Sequence, residues 1–219
     1  MFNSTTINML IEGTLATIYM TVASTFLGYL FGLPMGIVLT VTDKDGIKPN
    51  SIIYKILDFI ANTVRSIPFL ILMILLIPLS RFLIGKSYGS TATIITLVVA
   101  AAPYIARMVE SSLKEVDAGV IEAARSMGAS NMDIIFKVML VEARTSLIVG
   151  ATITLGTILG YSAMAGTLGG GGLGDIAVRY GYHRYDAVIM TITVVILIIL
   201  FQIFQTIGMA IASGLDRRK

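Results

Sequence analysis

The sequence predicts an all-α membrane protein with five transmembrane helices. Hydrophobic residues make up 56% of its 219 residues, charged residues make up only 13%, and the mean hydropathy is +0.88. That composition lies well outside the usual balance of a soluble domain. Five stretches contain no charged residue, namely residues 13–42, 66–80, 87–104, 145–174 and 187–215. Because a helix needs about 20 apolar residues to cross a bilayer, most of these stretches are long enough to span it.

We expect a single transmembrane domain over residues 1–219. Its five spans are predicted at residues 13–41, 57–80, 88–113, 144–165 and 187–214. The second span has an uncharged part of only about 15 residues, which is shorter than a crossing requires. Its helix is therefore expected to extend back toward Arg65.

The distribution of Lys and Arg predicts that the N-terminus lies outside and the C-terminus inside, since short cytoplasmic loops carry an excess of these residues. In that orientation 12 of the 16 basic residues lie inside, three of them in the tail at 217–219. The four outer residues are Arg81, Lys86, Arg179 and Arg184. The net charge of +3 is thus concentrated on the cytoplasmic side, where it favours contact with that lipid leaflet or with a protein partner.

Several kinds of chemistry are excluded or disfavoured by composition. The chain has no cysteine, which excludes disulfides and thiolate metal sites. Its one histidine, His183, stands in a loop rich in glycine and tyrosine and is expected to be a polar surface residue. No basic patch is interleaved with aromatic residues, so a nucleic-acid partner is not expected. We predict no metal and no cofactor.

Residues 117–141 form the longest polar interruption and lie between the third and fourth spans, which places them in the cytoplasm. Their pattern predicts two short helices. Asp117 is a suitable cap for the first helix, and Gly128 supplies a left-handed stop. Ser130 is a suitable cap for the second helix, and Asp133, three residues later, completes a pattern similar to a capping box.

The first of these helices has features of a docking surface for another protein. Ala123 and Ala124 are small enough to let a partner approach the backbone, while Glu122 and Arg125 supply charges that orient it. The alternative is an amphipathic helix pair that lies on the membrane surface and binds nothing. The residues themselves resemble the EAA loop of ABC importer permeases. Glu122, Ala123 and Ala124 are followed after three residues by a glycine and, after nine more, by residues 138–141.

Two positions of this loop depart from the family pattern. Val138 replaces an isoleucine, and Val141 replaces a proline. The resemblance also covers other segments and is continuous from about residue 14 to the end of the fifth span. Residues 65–69 and 101–110 resemble amino-acid importer permeases. The segments at 160–166, 169–174 and 180–182 resemble the permeases of methionine importers.

The resemblance implies a pathway subunit of the bacterial cell membrane, with five spans and an outer N-terminus. Such a subunit carries no ATPase site and is not an enzyme on its own. Two copies pair, and a cytoplasmic ATPase dimer docks on their EAA loops. An extracytoplasmic binding protein delivers the substrate, here methionine, with D-methionine and its derivatives included. The coupling residues carried over are Glu122, Ala123, Ala124, Arg125 and Gly128.

The end of the fourth span contains the residues that we expect to contact substrate, Tyr161, Ser162 and Met164. A methionine side chain offers a polarisable surface suited to another thioether, and a tyrosine combines an apolar ring with a hydroxyl. The alternative for all three is ordinary helix packing.

The following glycine-rich loop is expected to fold back tightly and to form a gate or a contact for the binding protein. The alternative is a flexible loop. The residues assigned to this region are Gly169, Gly172, Gly174, Tyr180 and Tyr182.

Three other functions stay open at this point. The first is an ABC permease for another small amino acid or polar solute. The second is an ion-coupled secondary transporter, which usually places ionisable groups near the bilayer midplane. The five uncharged stretches contain no such group, and this disfavours ion coupling. The third is a membrane scaffold without a pathway.

Overall fold

The computed structural model describes residues 4–215 and is built of helices joined by short turns. The long helices are α1 (Ser4–Thr42), α2 (Ser51–Ser66), α3 (Phe69–Ile84), α4 (Ser90–Lys114), α8 (Arg144–Ala165) and α10 (Ala187–Leu215). The short ones are α5 (Ala118–Ser126), α6 (Asn131–Asp133), α7 (Leu140–Glu142) and α9 (Gly172–Ile176). Two π-helical segments, Ile134–Met139 and Ala177–Tyr182, and a 3₁₀ turn, Gly166–Leu168, complete the chain. The tail residues Arg217, Arg218 and Lys219 lie outside the described residues.

Four of the five predicted spans are continuous helices long and apolar enough to cross a membrane, namely α1, α4, α8 and α10. The prediction of one helix over residues 57–80 is wrong. The chain breaks between α2 and α3 and turns by 109°. Pro68 has no N–H to continue the helix, and it forces the preceding Ile67 into an extended conformation with φ −85° and ψ 125°. α1 also begins earlier than predicted, because the single charge of Glu12 does not interrupt a helix.

Helices α1 and α4 pack closely against each other and run parallel. A Cβ atom on Gly32 would lie 2.6 Å from the carbonyl oxygen of Ala102, and one on Gly36 would lie 2.6 Å from that of Ala106. Glycines spaced four apart let the two backbones approach each other, as in other membrane helix pairs. Because the contacting numbers rise together in both helices, the N-termini of α1 and α4 lie at the same end of the bundle.

Helices α8 and α10 complete the bundle with alternating directions. Ser146 near the start of α8 donates a hydrogen bond to Ser112 near the end of α4, at 2.9 Å between the hydroxyl oxygens. Arg144 at the start of α8 donates to the carbonyl of Leu215 at the end of α10, also at 2.9 Å. α8 is therefore antiparallel to both neighbours. We call the end that holds residues 117–141 the polar end, and the end that holds 169–174 the glycine end.

The main hydrophobic core lies between α1, α4 and α8 and extends to the polar end. Met20, Leu97, Ile105 and Ile158 are fully buried there, and Ile134 joins them from the segment that follows α6. The polar segment is thus packed onto the bundle and does not hang free.

Candidate functional sites

The polar segment has the local structure that its sequence predicts. The Asp117 carboxylate accepts a hydrogen bond from the Gly119 amide at 2.7 Å and caps α5. Gly128 ends the turn with φ +82°. The Ser130 hydroxyl accepts from the Asp133 amide at 3.2 Å and donates to the Asp133 carboxylate at 2.6 Å. The two predicted caps and the left-handed stop are confirmed.

The second half of the segment leads the chain back into the bundle. The ammonium of Lys137 lies 2.5 Å from Asp133, and together with the Ser130 hydroxyl it holds the pKa of that carboxyl below its ordinary value. Val141 stands where the family pattern has a proline, and the chain remains helical there. The break occurs instead at Ala143, between α7 and α8.

The predicted docking residues divide into an exposed set and an anchoring residue. The exposed ones are Glu122, Ala123, Arg125 and Gly128. Ala124 is only 5% exposed and packs into the main core, so it fastens α5 to the bundle. Arg125 also donates to the carbonyl of Ile47 at 3.0 Å, which ties α5 to the loop after α1. Met127, which follows α5, is 82% exposed and is also available to a partner, although the sequence pattern did not single it out.

A cleft of about 570 Å³ separates α5 from the loop after α1. Glu122 and Arg125 line one wall, and Asp43 and Lys114 line another. The Lys114 ammonium lies 2.6 Å from Asp43, and this hydrogen bond holds the pKa of Asp43 below its ordinary value. The cleft therefore presents charges of both signs beside the exposed face of α5.

A cluster of ionised side chains joins three helices near the polar end. We call it the charge cluster, and its members are Asp43, Asp58, Arg107, Glu110 and Lys114. Arg107 pairs with Glu110, three residues later on α4, at 2.6 Å. Arg107 also pairs with Asp58, and Lys114 bridges Glu110 at 2.9 Å to Asp43. The sequence pattern did not reveal the pairs Arg107–Asp58 and Lys114–Asp43, because the two residues of each pair are far apart along the chain. Asp58 was nevertheless a sign of an ion pair, since it is an aspartate inside a predicted span.

The three predicted substrate residues do not share one face of α8. The Tyr161 ring stacks on Phe69, with the ring centroids 4.5 Å apart and the planes 3° from parallel. Ser162 is only 1% exposed, and its hydroxyl donates to the carbonyl of Leu159 at 2.8 Å. Met164 is 49% exposed. Tyr161 and Met164 are accessible to a substrate in this chain, whereas Ser162 is not.

Met164 belongs to an exposed stripe along α8. Ile153 and Gly160 are also exposed, and their spacing places them on the same face of the helix as Met164. A Cβ atom on Gly160 would meet nothing within 4 Å. This face is therefore open to a substrate or to a second copy of the chain.

The glycine-rich segment folds back tightly, as predicted, and it packs against α1. The Leu173 amide donates a hydrogen bond to the Thr17 hydroxyl at 2.8 Å, and both groups are buried. Gly172 has φ +75° and lies so close to Thr17 that a side chain would collide with it. Gly174 likewise packs on the backbone of Ala163. A buried and closely packed segment does not fit the alternative of a free loop.

The two remaining predicted contact residues follow in the second π-helical segment. Tyr182 is exposed, and Tyr180 is half-buried beneath the Arg184 guanidinium, which lies 4.5 Å from the ring centroid. Gly169 accepts a hydrogen bond from the Gly89 amide at 2.9 Å, which joins this segment to the start of α4. The glycine end therefore presents an aromatic and basic surface on a fixed backbone.

Residues 32–219 match the family described as "Binding-protein-dependent transport system inner membrane component". This chain belongs to that family. Among residues 4–215, no three acidic or histidine side chains are grouped so that they could hold a metal ion. A member of this family is the membrane subunit of a transport system whose ATPase is a separate subunit, and it is not itself an enzyme.

Relatives in the family carry names that specify a substrate. The probable D-methionine transport system permease protein MetI of Vibrio cholerae is 46% identical over 96% of this chain and 94% of its own length. The D-methionine transport system permease protein MetI of Escherichia coli K12 is 48% identical over 72% of this chain and 73% of its own length.

Solved structures have the same fold. The inward-facing MetNI methionine ABC transporter superposes with a TM-score of 0.97 at 44% identity and covers 99% of this chain and 100% of that one. An amino acid ABC transporter with histidines is 21% identical and superposes with a TM-score of 0.71, so it shares the fold.

Proposed function

We propose that this chain is the permease subunit of an ATP-driven ABC importer that carries methionine, including D-methionine and its derivatives, across the bacterial inner membrane. The observation that carries the proposal is the match to the MetNI methionine transporter over 99% of the chain with a TM-score of 0.97. The 46% identity to a probable D-methionine permease supports the same substrate. The transporter moves its substrate unchanged, so the permease supplies a path and a coupling site.

The proposed topology has five crossings with the N-terminus outside. Because α1 and α4 run parallel, a chain that ends α1 on one side must cross the membrane once before it begins α4. The bent pair α2–α3 is the segment available for that crossing. α3 is about 24 Å long at 1.5 Å per residue, somewhat short of a hydrocarbon core of about 30 Å. The excess of Lys and Arg at the polar end supports a cytoplasmic position for that end.

In this orientation each end meets a different partner. The ATPase dimer docks at the polar end on the exposed side of α5, where Glu122, Ala123 and Arg125 lie beside the cleft. Gly128 holds the turn that presents this helix. An extracytoplasmic binding protein docks at the glycine end, where Tyr182 is exposed. A second copy of the chain packs alongside to form a homodimer, and lipid surrounds the pair.

Transport proceeds by alternating access of one pathway to the two sides. Movement of α5 with the ATPases tilts the helices of the bundle, and Met164 and Tyr161 give the substrate weak apolar contacts. Weak contacts suit a permease, because the substrate must leave as readily as it enters. Ser162 stabilises the end of α8 from within. The packed segment around Gly169, Gly172 and Gly174, with Tyr180 beside it, acts as the gate at the outer side.

The reconstituted complex of permease, ATPase and binding protein is expected to take up labelled methionine only when ATP is present. Uptake into proteoliposomes should continue when the proton gradient is collapsed by an ionophore, and unlabelled methionine should compete better than other amino acids. Uptake that stops with the gradient would indicate an ion-coupled transporter. Stronger competition by another amino acid would assign a different substrate.

Substitution of Gly128 by valine should weaken copurification of the ATPase with the permease. Valine at φ +82° costs about 1–2 kcal/mol in backbone strain, and a Cβ atom there would meet nothing within 4 Å, so a collision cannot explain the effect. Gly128→Asn is the matched control, because asparagine tolerates the left-handed conformation. Equal recovery of ATPase with the valine and asparagine variants would contradict the docking proposal.

Substitution of Met164 by alanine should raise the KM of methionine uptake about tenfold, since an apolar contact of this size is worth roughly 1.5–3 kcal/mol when fully formed. Copurification of the ATPase should be unaffected, because Met164 lies near the end of α8 and α5 lies at the opposite end of the bundle. Met209→Ala, at a similarly exposed position on α10, is the control. Wild-type uptake kinetics in the Met164 variant would remove this residue from the pathway.

A further inference from the structure

Helix α2 is attached to the bundle mainly through polar contacts. Of its residues only Ala61 is buried, and the apolar side chains of Ile56 and Phe59 face away from the bundle. On the side that faces α4, Asp58 pairs with Arg107. Two uncharged side chains of α2, Tyr54 and Asn62, also form hydrogen bonds with charged residues of α4. The Tyr54 hydroxyl donates to Glu110 at 3.3 Å, and the Asn62 side-chain oxygen accepts from Arg107 at 3.1 Å.

These contacts are directional and partly shielded from water. The side chain of Glu110 is 6% exposed, that of Arg107 is 18% exposed and that of Asp58 is 36% exposed. Separating Asp58 from Arg107 leaves Glu110 as the remaining ionic partner of a partly buried guanidinium, so the pair resists separation. α2 is therefore expected to follow α4 when α4 moves.

The two helices joined in this way lead to different functional regions, α4 to the proposed ATPase contact and α2 to the proposed pathway. α4 ends at Lys114, and only three residues separate it from α5, the proposed ATPase contact. α2 ends at Ser66 and leads across the Pro68 break to Phe69, whose ring stacks on Tyr161 of the proposed pathway. The break interrupts the helix hydrogen bonds, so α2 can change its angle to α3 without unfolding either helix.

We propose that Arg107 and Asp58 are positioning residues that transmit movement of α5, through α4 and α2, to the Phe69–Tyr161 ring pair. The inference rests on the proposed function, since it assumes that an ATPase moves α5 and that substrate passes Tyr161. It adds a specific mechanical connection. The charge cluster makes α2 move with α4, and the Pro68 break is the hinge through which this movement displaces Phe69 beside the pathway.

The test compares three substitutions of Asp58 in the full reconstituted complex, with ATP hydrolysis and methionine uptake measured on the same proteoliposomes. The quantity of interest is the amount of methionine taken up per ATP hydrolysed. Asp58→Ala should lower this ratio about tenfold, within the range of typical coupling between sites. Asp58→Asn, which keeps a hydrogen bond without the charge, should lower this ratio less. Asp58→Glu, which keeps the charge, should leave the ratio close to that of the wild type.

Asp45→Asn is the matched control. Its carboxylate is also near the polar end, and within residues 4–215 the only ion pair that it forms is with the neighbouring Lys44, so it joins no two of the described helices. The control should keep the wild-type ratio. A wild-type ratio in Asp58→Ala, or a parallel loss of hydrolysis and uptake across the series, would overturn the proposal, because the cluster would then serve only stability. Absence of uptake in the wild-type complex would instead contradict the proposed function.

A second measurement does not depend on transport. Because this chain has no cysteine, spin labels can be attached to the purified permease at Phe59→Cys on α2 and Thr167→Cys beyond α8, without competing sites in the chain, before the complex is assembled. The distance between the labels should change when ATP is added to the wild-type complex and should stay constant in Asp58→Ala. An equal change in both proteins would show that α2 moves independently of the charge cluster.

Discussion

The parallel packing of α1 against α4 determines most of the architecture. Gly32 and Gly36 let the helix backbones approach so closely that α1 and α4 cannot change register without a collision. Two adjacent parallel helices require the chain to return between them, and the bent pair α2–α3 provides the return. The same contact brings the ends of α1 and α4 together, where Asp43 meets Lys114.

The two ends of the bundle are stabilised by different means, and the difference suits their proposed roles. At the polar end, ion pairs join α1, α2 and α4 at a level where α5 and its cleft face the solvent. Ion pairs of this kind fix distances between helices while their exposed neighbours stay free to bind a partner. At the glycine end the backbone itself is packed, as the hydrogen bond from Leu173 to Thr17 shows. Backbone groups outside a regular helix must be shielded from lipid, and the close packing of this segment provides that shielding.

The sequence was sufficient wherever a feature depended on local chemistry. Asp117, Gly128 and Ser130 adopt the predicted caps and stop because capping depends on the residue and its immediate neighbours. The α2–α3 break was missed because counting uncharged residues measures apolar length and ignores the effect of Pro68. The contact of Arg107 with Asp58 depends on tertiary packing. The burial of Ser162 does so as well, since neighbouring helices decide which face of α8 is covered.

The most direct test of this account is the side of the membrane on which three single cysteines react. Lys86→Cys follows α3, Met127→Cys follows α5 and Tyr182→Cys lies at the glycine end, and all three positions are exposed. An impermeant maleimide applied to intact cells should label positions 86 and 182, and it should label position 127 only after the membrane is permeabilised. Labelling of position 127 in intact cells would invert the topology. Protection of position 86 together with labelling of 182 would show that α2–α3 does not cross.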